Sequence, residues 1–232
     1  KQYVEETNLR ATILLDTSGS MKYRGDAAAS VDGALCSKLA YGQYLAAILA
    51  YLLVGQQDAV GLVTFDTAIR AYVPARARAS QVRAILETID AAKAGGETAL
   101  SDIFHDIAER IPRRGLVIIV SDLLDNPERI VNALHHFRHR RHEVVVLHVL
   151  ADEELAFPFD AFTCFRDLEG SGDIQTDPKA LRASYLEQLR LFLQTIKTGC
   201  GRIGADYVAM NTATPFDQAL SAYLTRRRTG QT

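Results

Sequence analysis

Five short, unbroken apolar runs separated by stretches of helical periodicity constrain this chain more than any other feature. They occupy residues 11–15, 59–65, 116–120, 144–150 and 207–210. Most are rich in Val, Ile and Leu and lack polar alternation, as strands buried on both faces of a parallel sheet require. Between them apolar residues recur at i, i+3, i+4 and i+7, as in Val82, Ile85, Leu86 and Ile89, and again in Leu100, Ile103, Phe104 and Ile107. Three helix starts carry a capping residue followed by proline, whose missing N–H costs nothing there: Asn126-Pro127, Asp177-Pro178 and Thr214-Pro215.

Two segments break the alternation. Residues 70–73 follow the second run too soon for a helical crossover, which predicts a short antiparallel edge strand. Residues 162–177 read as a hairpin turning through Glu169-Gly170-Ser171-Gly172-Asp173. No internal repeat or low-complexity linker divides the chain. The expected architecture is one α/β domain over residues 1–232, a Rossmann-like doubly wound sheet, mostly parallel, with one short antiparallel edge strand and helices on both faces. The hairpin is an insertion at about residues 162–177. At 232 residues, such a chain buries roughly 70% of its unfolded surface without staples. The most apolar stretch, residues 39–54, is interrupted by Gly42, Gln43 and three tyrosines and is too short to span a bilayer. It is expected to form a helix buried on nearly every side.

Charge and cysteine usage exclude several function classes. Lys plus Arg is 26 and Asp plus Glu is 28, a formal net charge of −2, so no basic footprint for nucleic acid stands out. Cys36, Cys164 and Cys200 are odd in number, far apart and without a CxxC pair. That pattern argues against a disulfide framework or zinc knuckle and predicts a reducing, cytoplasmic setting.

In doubly wound sheets ligands bind at the carboxyl ends of the strands, where strand order reverses. The first run ends in Asp16-Thr17-Ser18-Gly19-Ser20-Met21, and a tight turn through Gly19 lets one carboxylate and two hydroxyls face one point. The third run ends in Ser121-Asp122, a second carboxylate. Between them Gly95-Gly96-Glu97-Thr98 presents a hydroxyl just before a helix. Asp16, Ser18, Ser20, Thr98 and Asp122 offer hard oxygens and no nitrogen or sulfur, which suits Mg²⁺ or Mn²⁺ and is poor for zinc. Helix capping alone would account for Asp16 and Ser18 but not for Ser20, Thr98 and Asp122.

At these residues the sequence resembles a von Willebrand factor A-type domain, in which Asp-x-Ser-x-Ser, Thr and Asp form a metal-ion-dependent adhesion site. The resemblance covers nearly the whole chain. It is nearest to an uncharacterised bacterial branch often encoded beside MoxR-type AAA+ ATPases. Glu5-Glu6-Thr7-Asn8-Leu9-Arg10, Gln57-Asp58-Ala59-Val60-Gly61-Leu62 and Phe137-Arg138-His139-Arg140-Arg141-His142 carry that closer match. The resemblance implies direct ligation by Ser18 and Ser20, by Thr98 once a partner is bound, and negative charge from Asp16 and Asp122. Ala99 stands where a polar residue is frequent, but removes no ligand. An additional segment is expected to precede Lys1, and tethering of a longer chain to a membrane stays open.

Several other signals are weighed and set aside. Gly199-Cys200-Gly201-Arg202-Ile203-Gly204 fits a dinucleotide pattern but ends a helix before a strand, the reverse of the needed context. His135, His139 and His142 could share one helical face, yet Arg138, Arg140 and Arg141 would repel a metal ion. Arg226-Arg227-Arg228 reads as a solvated helix end, and Arg24-Gly25-Asp26 as a chance tripeptide. The expected function is a metal-dependent protein–protein interaction module. Its protein ligand would donate an acidic side chain to the metal, with a MoxR-type ATPase as the implied partner. Asp125, Tyr23 and Glu97 would form the rim. The alternative is a Mg²⁺-dependent phosphoryl or ester hydrolase using the same oxygens. It lacks a second Asp at Ser18, a GxSxG elbow and a histidine in the loops.

Overall fold

The apolar runs take their places in one sheet because each is flanked by amphipathic helices that cover it from both sides. The computed structural model describes residues 9–31, 33–96, 99–169 and 172–228. Glu97, Thr98, the turn residues Gly170 and Ser171, and the Glu5-Glu6-Thr7-Asn8 stretch lie outside the described residues, as do the side chains of Arg226, Arg227 and Arg228. In chain order the elements are β1 (Arg10–Asp16), a 3-10 turn at Gly19–Lys22, β2 (Ser30–Val31), β3 (Ala34–Leu35), α1 (Lys38–Gly55), β4 (Ala59–Phe65), β5 (Ile69–Arg76) and α2 (Ser80–Ala91). There follow α3 (Leu100–Arg110), β6 (Leu116–Ser121), α4 (Pro127–His139), β7 (Glu143–Leu150), α5 (Asp152–Ala156), β8 (Thr163–Arg166), β9 (Asp173–Thr176), α6 (Pro178–Ile203), β10 (Asp206–Asn211) and α7 (Phe216–Arg228).

The main sheet runs β10-β7-β6-β1-β4-β5. All neighbours are parallel except β4 and β5, so the Rossmann-like, mostly parallel architecture with an antiparallel edge is observed. The edge strand is longer than its sequence signal, because only its middle is apolar; its burial alternates residue by residue. Gly61 allows this pairing to approach closely, since a Cβ there would lie 2.7 Å from the Val73 carbonyl oxygen. Buried Gln81 donates to the carbonyls of Val60 and Pro74 at 2.8 and 2.9 Å, satisfying groups freed by the adjacent register shift.

The core has two halves, one on each face of the sheet. On one face Ile13, Leu15, Leu62 and Val120 meet Tyr41, Leu45 and Leu49 of α1, with α2 and α7 beside it. On the other, Leu14, Val63, Val117 and Ile119 meet α3, α4 and α6. Helix α1 is not buried on nearly every side as its composition suggested. Tyr44 and Tyr51 are exposed, because α2 and α7 flank the helix without covering its outer face. By length and composition α1 could cross a membrane, and here its other face packs into the core. The hairpin pairs Thr163 with Thr176 through Arg166 with Asp173.

Two sequence signals change on inspection of the chain path. Helix α4 ends at His139 and Arg141 adopts φ of 64°, so His142 turns inward and is buried while His135 and His139 stay exposed. The three imidazoles therefore share no face. Arg138 is not a solvated charge either, since it donates to the carbonyls of Ile203 and His142, each at 2.8 Å. The glycine pattern ends α6 as expected, with Gly204 in the left-handed region as its cap.

Phe104 sits between Phe65 and Phe137, edge-on to both at 5.6 and 5.9 Å between ring centres, and has no exposed surface. Phe104→Ala should lower unfolding free energy by about 3–5 kcal/mol in a urea titration, with the slope unchanged.

Candidate metal-binding site

The strand order places β1 between β4 and β6, so the crevice where connections diverge opens at the carboxyl ends of β1 and β6. Asp16 ends β1 and Asp122 follows β6, which brings the two carboxylates to that point. Asp16 is fully buried. One of its oxygens accepts from the Ser18 amide at 2.8 Å and the other from the Ser121 hydroxyl at 2.5 Å. The Ser18 and Ser20 hydroxyls lie 3.1 Å apart, and both residues are buried. The Gly95–Gly96 turn is tied to this loop by two backbone bonds, Gly19 N–H to Gly96 and Gly95 N–H to Thr17, each 2.9 Å. That turn leads into Glu97 and Thr98, which lie outside the described residues.

Asp122 has a partner that sequence reading missed. The Lys38 ammonium, at the first position of α1, lies 2.7 Å from Asp122 and 2.8 Å from Glu154. Burial alone would push the lysine pKa down, but the two carboxylates outweigh it and the pKa is raised. Lys38 is the only charged residue in α1, and a cation at a helix N-terminus opposes the helix dipole. That misplaced charge was the available signal. Glu154 also accepts from the Ala151 amide at 2.8 Å, fixing the start of α5.

Asp16 differs from Asp122 in having no cationic partner among the described residues. Desolvation, then the Asp122 charge, raises its pKa to about 7 against the hydrogen bonds from Ser121 and Ser18. His148 behind Asp122 is no spare base. Its Nε2 lies 2.8 Å from the Asp122 carbonyl, which fixes the donor there, and Nδ1 lies 2.8 Å from the Tyr207 hydroxyl. Burial lowers its pKa to about 4.

The proposed rim is built differently at each residue. Tyr23 is half-buried with its ring 5.8 Å from the Lys38 ammonium, so it flanks the ion pair. Asp125 accepts from the Ser101 hydroxyl at 3.1 Å and thereby ties the loop after β6 to the start of α3. In the neighbouring Arg24-Gly25-Asp26, Gly25 is buried against Glu153 while Arg24 and Asp26 are exposed.

The donor chemistry fits a hard divalent cation. Asp16 is a buried carboxylate in need of positive charge, and Ser18 and Ser20 supply adjacent neutral oxygens. Among the described residues no group of three or more His, Cys, Asp or Glu gathers to hold a metal, so such a site rests on hydroxyls as well as carboxylates.

The chain matches the family described as "Protein of unknown function DUF58" over residues 1–191. It belongs to that family. No curated protein matches it. Among solved structures it is similar to the conserved hypothetical protein BatB from Bacteroides thetaiotaomicron, 18% identical with a TM-score of 0.58, over 96% of this chain and 98% of that one. An aerotolerance-related membrane protein from Bacteroides fragilis is 20% identical with a TM-score of 0.53, over 91% of this chain and 94% of that one. The SpRpn10 VWA domain overlaps more loosely, with a TM-score of 0.49 at 11% identity over 91% of this chain and 94% of that one. At these identities the first two likenesses show the fold alone.

Removing the ammonium from the site leaves two carboxylates without their shared cation. Lys38→Met should lower unfolding free energy by about 3–5 kcal/mol at pH 7 in a urea titration. Asp16 gives a pH signature of the opposite kind. Folded, it keeps its proton to about pH 7 and, unfolded, only to about 3.8. Its contribution to stability is therefore full below pH 3.8 and is lost as pH rises through 7. In chelator, Asp16→Asn should gain on the parent protein by about 3 kcal/mol between roughly pH 5 and pH 8.

Proposed function

We propose that this chain is a metal-dependent protein-interaction module whose Mg²⁺ or Mn²⁺ is held by Asp16, Ser18, Ser20 and Asp122, with Thr98 joining when a partner is bound. The observation that carries this reading is the buried Asp16 carboxylate, without a countercharge among the described residues, beside two facing serine hydroxyls at the crevice of the sheet. A bound divalent cation supplies Lewis acidity there, and an acidic side chain of a protein ligand completes its shell. This chain's own groups do the positioning: Ser121 and the Ser18 amide orient Asp16, and Lys38 fixes Asp122. The partner class, a MoxR-type AAA+ ATPase or a protein remodelled by one, and a cytoplasmic setting rest on the sequence resemblance and cysteine pattern.

Binding is favoured over hydrolysis because a general base is missing beside these oxygens among the described residues. Both nitrogens of His148 are engaged, and His105 lies 3.6 Å from Glu109 on the exposed face of α3. Calorimetry at pH 8 should detect Mg²⁺ and Mn²⁺ at millimolar concentration, with binding abolished by Asp16→Ala and weakened by about a hundredfold at pH 5, where Asp16 is protonated. A parent protein that binds neither ion would overturn the site. Metal-dependent turnover of phosphomonoesters, lost with Asp16→Ala, would replace the binding reading with the hydrolase.

A further inference from the structure

Lys38 is pinned beside the metal loop at both of its ends. Its amide donates to the Tyr23 carbonyl at 2.8 Å, directly after the 3-10 turn that carries Ser20. Its ammonium lies 2.7 Å from Oδ2 of Asp122 and 2.8 Å from Oε1 of Glu154, and the lysine side chain is 3% exposed. A buried cation therefore already sits on a carboxylate of the metal site. Oδ1 of Asp122 is held more loosely, accepting a long bond of 3.4 Å from the Leu124 amide.

The two carboxylates differ in what surrounds them. The Asp122 side chain is 1% exposed and that of Glu154 27%. Lys38, Asp122 and Glu154 line a cavity of about 250 Å³, walled further by Leu124 of the loop after β6 and by Tyr185 and Phe192 of α6. The ammonium thus has a second carboxylate, and free space beside it, to keep it paired when Asp122 is drawn elsewhere.

We propose that Lys38 is a tethered cation that competes with the metal ion for Asp122 and so sets the affinity of the site. The proposal rests on the metal reading above and concerns how strongly the ion is held. An ammonium and a divalent ion drawn by one carboxylate repel each other, and in a buried site neither water nor salt screens them well. Asp122 gives part of its charge to Lys38, so an ion bound there keeps positive charge for the acidic ligand of the interaction module. Competition and mere support of Asp122 predict opposite signs. A side chain that only held the carboxylate in place would loosen the ion when removed, whereas a competing cation tightens it.

The test is Mn²⁺ binding to the whole chain at pH 8, read by calorimetry. Lys38→Met should bind Mn²⁺ at least about tenfold more tightly than the parent protein. Lys38→Arg keeps the charge and should show no tightening. Arg83→Met removes a cation whose side chain is 85% exposed, and should change affinity by less than about twofold. If Lys38→Met is unfolded in chelator, Mn²⁺ should refold it, followed by circular dichroism. Failure to refold at a concentration that saturates the parent would overturn the proposal. Unchanged or weaker binding by folded Lys38→Met, with the parent protein binding Mn²⁺, would also overturn it and leave the metal module standing. Equal tightening in Lys38→Arg would overturn it as a packing effect, and in Arg83→Met as a general charge effect. A parent protein that binds no Mn²⁺ would overturn both readings.

Discussion

Asp16 and Asp122 end adjacent strands with almost no solvent between them, and two buried carboxylates that close cannot both keep a charge without compensation. The surrounding groups follow from that constraint. Lys38 is drawn to the first position of α1, against the helix dipole, because Asp122 and Glu154 repay its desolvation. Ser121 and the Ser18 amide give Asp16 hydrogen bonds but no positive charge, which leaves one carboxylate uncompensated. The same loop is closed from outside by the hairpin end packed on Gly19. A half-balanced, enclosed oxygen site is thus tied to the sheet, to α1, to α5 and to the hairpin at once.

Much of the fold was legible because burial on both faces leaves a simple trace. Residues 59–65 form β4 with the expected limits, and the first, third and fourth runs extend by a single residue at one or both ends. The edge strand was underestimated, since its alternating pattern carries Arg70, Tyr72 and Arg76 on the outward side and looks irregular in a short window. Helix α1 misled in the other direction. Its lack of polar residues suggested enclosure, but the aromatic rings of Tyr44 and Phe216 stack at 5.0 Å to cover only part of its outer face.

The site divides along a similar line. Asp16, Ser18 and Ser20 lie within five residues, so their convergence needs only a turn, and Asp122 joins them because its strand neighbours β1. Lys38, Glu154 and Ser121 were missed or unassigned. Each acts through a contact between segments far apart in the chain, and no spacing rule encodes such a contact. The histidines failed for a related reason: helical spacing holds only while the helix continues, and α4 ends before His142.

By itself the sequence determined a mostly parallel, doubly wound sheet and a set of oxygen donors at its carboxyl ends. Periodicity and local turns are short-range properties, written directly in residue order. Only the tertiary structure decided how those donors are charged and what covers them. Whether a buried carboxylate meets an ammonium, a hydroxyl or another carboxylate depends on which distant segments pack against it. Here that packing gave Asp122 a lysine, gave Asp16 none among the described residues, and set the hairpin end close to the loop between two serines.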